Sequence, residues 1–461
     1  MNRDPIFSNE SALAKEAIKL LQQSIQHKTV NPPGNELELA EYYQKYLESQ
    51  DLPEVHSDII EVAPQRGNLI VTIAGTEADS RPIWAFCSHL DVVSASNEDD
   101  WCYPPFEGRL VKGEKDTFIW GRGAMDMKYV GVAMLCAFVH NIKQGWRPKS
   151  TVRLIFESDE EISGYNGIVP LIKNHWEKIQ LDYFITEGGG YRLPIKSDYC
   201  ISVAEKGKLI LKLVAKGDTG HGSAPGKYEN YAIFRLTRFL RRLEKYRTPI
   251  IISEEYKNMI NALSLPWLVK KLLTSKRLVR FTLGLADSFS NLSLKEKFGG
   301  FISPTISPTI IRGGEKENVF SSEAHIIMDI RIPLGQTKKD ILKLIEDIAG
   351  RSLMEHLRFE VLDYVQPTSS SSTTDGYETL RSVLREMNPK ANLVPIILPA
   401  GTDGRRIREH GEIAYGFCLS EIDEELDLNS IINMPHATDE RVSVTNLMLA
   451  TEYYARLFQK L

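Results

Sequence analysis

Four carboxylates fall within five positions of "ESDEEISG", residues 157–164, directly after the apolar run "TVRLIF". Side by side, Glu157, Asp159, Glu160 and Glu161 repel one another unless they sit in water, share protons or face cations. Other residues capable of chemistry stand in comparable places. "FCSHLDVV" puts His89 just past a strand pattern, with Asp91 two residues on and so on the same side of an extended backbone. A carboxylate there can fix the tautomer of an imidazole whose other nitrogen binds a metal. "WGRGAMDMKYVGVAML" brings Asp126 through a glycine-rich loop to the start of an apolar helix. "LDYFITEGGG" carries Glu187 to a strand end, and "NMPHATDERVS" sets His436 in a loop before the last helix. Singly, each has an ordinary reading: a hydrogen-bonded His89–Asp91 pair, a helix cap at Asp126, a solvated acid at Glu187, a surface histidine at His436. Together, two histidines, one Asp and two Glu make the N/O donor set of two divalent, zinc-like ions. A shared carboxylate can bridge ions about 3.5–4 Å apart, and such cations would neutralise the acidic cluster and leave one acid free to move protons. A dinucleotide reading of "GRGAMD" fails, because Asp126 takes the third glycine position and would face a pyrophosphate.

The elements that must position these residues are short β-rich runs, "NLIVTIAG", "PIWAFCS", "TVRLIF" and "LDYFITE", alternating with helical stretches such as 127–142 and 165–177. That alternation predicts an α/β fold with a mainly parallel sheet and helices on both faces, its functional groups gathered beyond the carboxyl ends of the strands. After about residue 204 the pattern becomes β-α-β-β-α-β: "KGKLILKLVAKG", a helix over 230–246, "TISPTIIRGG", "EAHIIMDIRIP", "TKKDILKLIEDIAG" and "LRFEVLDY". The expected division is a discontinuous catalytic domain, 1–204 and 365–461, and an inserted ferredoxin-like α+β lid and dimerisation domain, 205–364. A helical insertion extends the lid at about 248–300, and a Ser/Thr-rich linker, "PTSSSSTTDG", leads back. Ser443 is placed to cap the last helix.

With 56 basic and 61 acidic residues the formal net charge is -5, which offers no case for nucleic acid or an anionic membrane as partner. The longest apolar run, "VGVAMLCAFV", is too short to span a bilayer, and the first residues read as an amphipathic helix rather than a secretion signal. Five cysteines without a CxxC pair argue against a disulfide framework and a cysteine-rich zinc module, so a reducing cytoplasm is expected. The expected partners are small molecules or copies of the same chain.

In order and separation, "SHLDVV", "GRGAMDMK", "SDEEISG", "TEGGG", "GHGSAP" and "HATDERVS" resemble the di-zinc metallopeptidase and amidohydrolase family. Its members include aminoacylases, acetylornithine deacetylase, succinyl-diaminopimelate desuccinylase, carnosinase-like dipeptidases and glutamate carboxypeptidase. The resemblance covers nearly the whole chain. It implies hydrolysis of an amide or peptide bond in a small substrate bearing a free carboxylate, an N-acyl amino acid or short peptide. It implies two divalent ions, zinc with cobalt or manganese as substitutes: His89 and Glu187 on one, Glu161 and His436 on the other, Asp126 bridging. Asp91 would orient His89, and Glu160 would be the general base. His221 of "GHGSAP" corresponds to a histidine that reaches across a homodimer, through the lid, to stabilise an oxyanion. Asn318 and Arg331 correspond to residues recognising a substrate carboxylate, and Gly401 and Thr402 of "PAGTDGRR" to substrate contacts. Glu157 and Asp159 remain a solvated or hydrogen-bonded surround. The 248–300 insertion resembles the extended lid of members acting on long acyl chains, with Trp267 and Leu268 bordering an acyl pocket, or else it is an extension that only packs on the lid or at the dimer interface.

Two other classes compete. A non-catalytic metal-binding relative is disfavoured because none of the ligands or the base is missing. A serine hydrolase centred on "GHGSAPG" fails the nucleophile-elbow pattern, since Pro225 stands two residues after Ser223 where that turn needs glycine. Chelators should therefore abolish turnover and serine-directed reagents leave it intact; the reverse pattern selects the serine hydrolase.

Overall fold

The computed structural model describes residues 7–289, 299–422 and 433–461. Its main sheet has nine strands. At the centre lie Val152–Glu157, Trp84–His89, Tyr183–Thr186 and Ile413–Gly416, parallel neighbours in that order. Trp84–His89 is buried at every position, as expected of a strand covered on both faces, which explains its unbroken apolar run. The flanks are antiparallel: Arg66–Ile73 pairs with Val152–Glu157 and carries Val55–Ala63 at the edge. On the other side Asp198–Glu205 meets Ile413–Gly416 and holds Asn392–Leu398 in parallel.

Alternate side chains serve opposite faces. Leu69, Phe86, Leu154 and Phe156 pack into a large cluster with helices Ala12–Gln26, Tyr129–Lys143 and Val444–Phe458. Ile70, Ala85, Cys87 and Ile155 pack on the other face with Ile168–Asn174 and Gly404–His410. Helix Tyr129–Lys143 is buried almost all round, which accounts for "VGVAMLCAFV" as a core helix. Among the described residues no helix is long and apolar enough to cross a membrane. Ser443 caps the last helix, its hydroxyl accepting from Asn446 N at 3.1 Å.

A second sheet has the antiparallel order Thr305–Gly313, Glu323–Ile332, Gly207–Lys216, Leu357–Val365. With helices Ala232–Lys245 and Lys338–Ala349 on one face it makes the β-α-β-β-α-β unit read from the sequence, around Leu209, Leu211, Ile326 and Ile330. A short ribbon, Gly220–His221 against Val319–Phe320, joins the segments bearing His221 and Asn318.

Three details differ from the sequence reading. Residues 165–177 are broken at His175 into Ile168–Asn174 and Trp176–Ile179. The Ser/Thr-rich stretch is an ordered strap: Thr368–Ser369 pairs with Ala204 and Glu205, Tyr415 Oη donates to Ser371 O at 2.5 Å, and Thr374 caps Asp375–Met387. The helical insertion packs Tyr256, Met259, Ile260, Leu263, Leu273, Val279 and Leu283 into the large cluster of the main sheet, and Asp198 accepts Ser264 N at 2.7 Å. The rest of that insertion, 290–298, lies outside the described residues.

Candidate active site

The five expected metal donors converge beyond the carboxyl ends of the parallel strands. His89 ends Trp84–His89, Glu187 follows Tyr183–Thr186, and Glu160 and Glu161 form a single turn just past Val152–Glu157. His89 Nε2 lies 3.1 Å from Asp126 Oδ1 and 3.9 Å from Glu187 Oε1. His436 Nε2 lies 3.2 Å from Asp126 Oδ2 and 3.0 Å from Glu161 Oε2. Two triads result, His89/Asp126/Glu187 and Asp126/Glu161/His436, each with donor atoms within 4.8 Å of one another. Asp126 turns one oxygen to each, the geometry of a carboxylate between two cations. Three protein donors per site also leave a position open for water or substrate. Glu160 belongs to neither triad.

The electrostatics fit cations. Burial, reinforced by the Asp126 carboxylate, pushes Glu187 well above the usual carboxylate range. Burial, with Glu187 and Asp403 nearby, does the same to Glu160. Burial opposes charge on His89, yet Asp126, Asp91 and Glu187 hold its imidazole well above the ordinary value. Hydrogen bonds to Asp126 and Glu161 push His436 up to about 10. The surrounding carboxylates thus favour the charged form of both imidazoles, whereas the neutral forms are the ones that ligate metal.

Surrounding groups hold the donors in place. His89 Nδ1 lies 2.9 Å from the Asp91 carbonyl oxygen and 3.5 Å from its Oδ1, so both parts of Asp91 orient the ring. The same carboxylate accepts the N–H groups of Glu160 and Glu161, each at 3.2 Å, and Asn31 Nδ2 at 2.8 Å. Asp91 therefore joins one triad's histidine to the other's glutamate. Glu157 and Asp159 are buried, so hydrogen bonding rather than water settles their charge. Asp159, at φ 72°, pairs with Arg66 and accepts Asn31 Nδ2 at 3.0 Å; Glu157 accepts from Cys87 Sγ at 2.9 Å. Past Glu187, a Cβ on Gly190 would stand 1.8 Å from the Cys418 carbonyl oxygen, so glycine there lets two backbones touch.

Asp126 does not cap its helix; its loop is itself held by Glu440. The buried Glu440 carboxylate accepts N–H groups of Gly123, Met125 and Asp126 at 3.0, 2.7 and 2.9 Å, and Arg122 Nη1 at 2.5 Å. Arg122 donates in turn to His436 O at 3.1 Å. Glu440 so ties the bridging aspartate to the second histidine. Sequence reasoning missed Glu440, Arg122, Asn31 and Arg66. Two of them had a visible signal, Glu440 lying inside the "HATDERVS" stretch and Arg122 inside "GRGAMDMK".

Of the expected substrate residues, Thr402 lies close to the strand end that bears Glu187: a Cβ on Gly188 would stand 3.7 Å from its Cγ2. His221 is exposed on the lid ribbon, with Ser223 N and Oγ at 3.2 and 2.7 Å from its Nδ1. A backbone N–H can only donate, so Nδ1 accepts and Nε2 carries the proton, the form an oxyanion donor needs. Asn318 lies alongside: its carbonyl accepts Gly222 N at 2.8 Å, and its buried Oδ1 has no hydrogen-bond partner among the described residues. Arg331 grips Asp329 through two bonds, 2.9 and 3.2 Å. Thr402 is buried and its hydroxyl donates to Glu205 at 2.8 Å, while Gly401 leaves room for the Arg405 guanidinium. Trp267 and Leu268, expected to border an acyl pocket, instead face solvent, because Leu273 takes the inward side of their helix.

This arrangement defines a metallohydrolase, and the chain belongs to peptidase family M20/M25/M40, which it matches over residues 85–460. It is 30% identical over 466 residues to the N-fatty-acyl-amino acid synthase/hydrolase PM20D1 of Bos taurus, covering 95% of this chain and 86% of that protein. Its fold resembles the M20 family metallo-carboxypeptidase Sso-CP2 of Sulfolobus solfataricus, with a TM-score of 0.68 at 17% identity over 97% of this chain and 100% of that one. A dinuclear metal binding M20 peptidase of Bacillus subtilis gives a TM-score of 0.62 at 14% identity, covering 97% and 98%.

Two outcomes are expected. Loading the metal-free chain with zinc at pH 7 releases at least about two protons, chiefly from His89 and His436, because both imidazoles are held protonated there and must bind metal as neutral rings. Calorimetry in buffers of differing ionisation enthalpy measures this; no release contradicts it. Glu440→Gln replaces an acceptor oxygen with an NH2 group facing N–H donors, and metal affinity by chelator competition falls about 10–100-fold. Unchanged affinity with only a lower melting temperature would leave Glu440 a purely structural residue.

Proposed function

We propose that the protein hydrolyses the amide bond of N-acyl amino acids, long-chain acyl groups included, using a water molecule with Glu160 as general base. The observation that carries this reading is the sharing of Asp126 between two donor triads while Glu160, next to the donor Glu161, stays outside both. Two divalent ions, zinc with cobalt or manganese as substitutes, fit His89/Glu187 and Glu161/His436 with Asp126 between them, and supply the positive charge that acidifies a water from about 15.7 toward about 7 and polarises a carbonyl.

The chain's own groups do the rest. Glu160 takes the water proton and passes it to the leaving amine nitrogen. His221 donates Nε2–H to the oxyanion across a homodimer formed through the 205–364 lid, a role that its exposed place on a short ribbon supports. Asn318, with its unsatisfied Oδ1, and Arg331, after sharing or leaving Asp329, receive the substrate carboxylate. The name of the Bos taurus relative supports the N-fatty-acyl amino acid as the substrate class. Five unpaired cysteines agree with a reducing cytoplasm.

Glu160→Gln should keep its metal content and lose about 10²–10⁴-fold in kcat. Native protein assayed on long-acyl, acetyl and succinyl amino acids and on dipeptides should favour the long-acyl substrates. Near-normal turnover by the variant removes the assigned base, and a clear preference for dipeptides removes the substrate class.

A further inference from the structure

The apolar outer side of the helical insertion has no place in the chemistry above. Residues 256–286 contain six basic residues, Lys257, Lys270, Lys271, Lys276, Arg277 and Arg280, and no Asp or Glu, in a chain whose net charge is -5. Over the same stretch Trp267 is 73% exposed and Phe281 71%, with Leu268, Leu278 and Leu285 exposed as well. The exposure is organised. In and just before helix Val279–Phe289, Val279 and Leu283 point into the core, while Leu278, Phe281 and Leu285, at i, i+3 and i+7, share the opposite side. This helix is thus apolar twice over, once toward the protein and once toward solvent.

We propose that the outer face of helices Trp267–Leu273 and Val279–Phe289 docks the protein on an anionic phospholipid surface. The inner side is anchored in the main core by Tyr256, Met259, Ile260, Leu273, Val279 and Leu283, so the face is presented from a rigid base. Lys257, Lys270 and Arg280 are held within the protein, by Glu254, Asn261 O and Thr248 O. Lys271, Lys276 and Arg277 are exposed among the apolar side chains, Lys271 Nζ lying 6.0 Å from the Trp267 ring. Aromatic and leucine side chains flanked by free cations suit the boundary between acyl chains and anionic headgroups.

Charge also separates this occupant from a second copy of the chain. A two-fold contact sets the same patch against itself and would oppose cation to cation, with Asp287 the one acid in the two helices. The binding is peripheral, since no described helix can span the bilayer. It does not depend on the substrate class proposed above.

The test uses the full, metal-loaded chain and vesicles of phosphatidylcholine with or without phosphatidylglycerol. The chain should sediment with the anionic vesicles, far less with phosphatidylcholine alone, and be released by high salt. Phe281→Ser/Leu285→Ser should weaken binding by about 10-fold or more, as loss of buried apolar area requires, and leave turnover of a soluble acetyl amino acid unchanged. Lys276→Glu/Arg277→Glu should do the same, and carries the test should the first variant fail to fold by circular dichroism. The proposal is overturned if the native chain ignores anionic vesicles or the charge variant binds them equally well. It is overturned too if the folded serine variant changes only the mass of the protein in solution, which assigns the face to a second copy.

Discussion

Carboxylates crowded at the end of a buried sheet repel one another, and the structure is organised around that repulsion. Asp91, Asp126, Glu157, Asp159, Glu160, Glu161 and Glu187 stand at or near one edge of the parallel strands, several of them buried. Asp159 has Arg66, Asp91 has Asn31 and two backbone N–H groups, and burial with the neighbouring Asp403 pushes Glu157 well above the usual carboxylate range. Asp126, Glu161 and Glu187 meet only imidazoles among the contacts that define the two triads. Those are the groups left for cations, and their arrangement fits two.

Precision at such a site depends on what holds the donors. Asp91 spans from His89 to the Glu160–Glu161 turn, and Glu440 with Arg122 spans from Asp126 to His436. Each of these buried carboxylates reaches both triads, directly or through the bridge. These contacts tie together donors that come from three strand ends and two loops. The 205–364 segment contributes differently, with His221 on a short ribbon and Asn318 beside it.

Much of this was legible in the sequence, for physical reasons. The central strands read clearly because burial on both faces demands unbroken apolar runs, and four of the five residues in the triads could be located because each follows such a run or precedes an apolar helix, while His436 lies in a loop. The β-α-β-β-α-β unit was legible through its alternation, as in Gly207–Lys216. What stayed hidden depends on tertiary contact. The fate of Glu157 and Asp159 rests on Cys87, Arg66 and Asn31, all distant in sequence, and Glu440 serves mainly backbone N–H groups that no side-chain pattern announces. Net charge concealed a local excess of cations, and the apolar residues of the insertion proved to face two ways, with Tyr256 in the core and Trp267 in solvent. Period alone cannot tell those sides apart when both are apolar.

The central claim is that five side chains enclose two ions with Asp126 between them and Glu160 unligated. A crystal of the zinc-saturated protein, with anomalous scattering recorded at the metal edge, tests it most directly. Two peaks about 3.5–4 Å apart, one beside His89 and Glu187 and one beside Glu161 and His436, are the result expected of a carboxylate-bridged pair. A single well-occupied peak, or a pair in which Glu160 is a ligand, would contradict it.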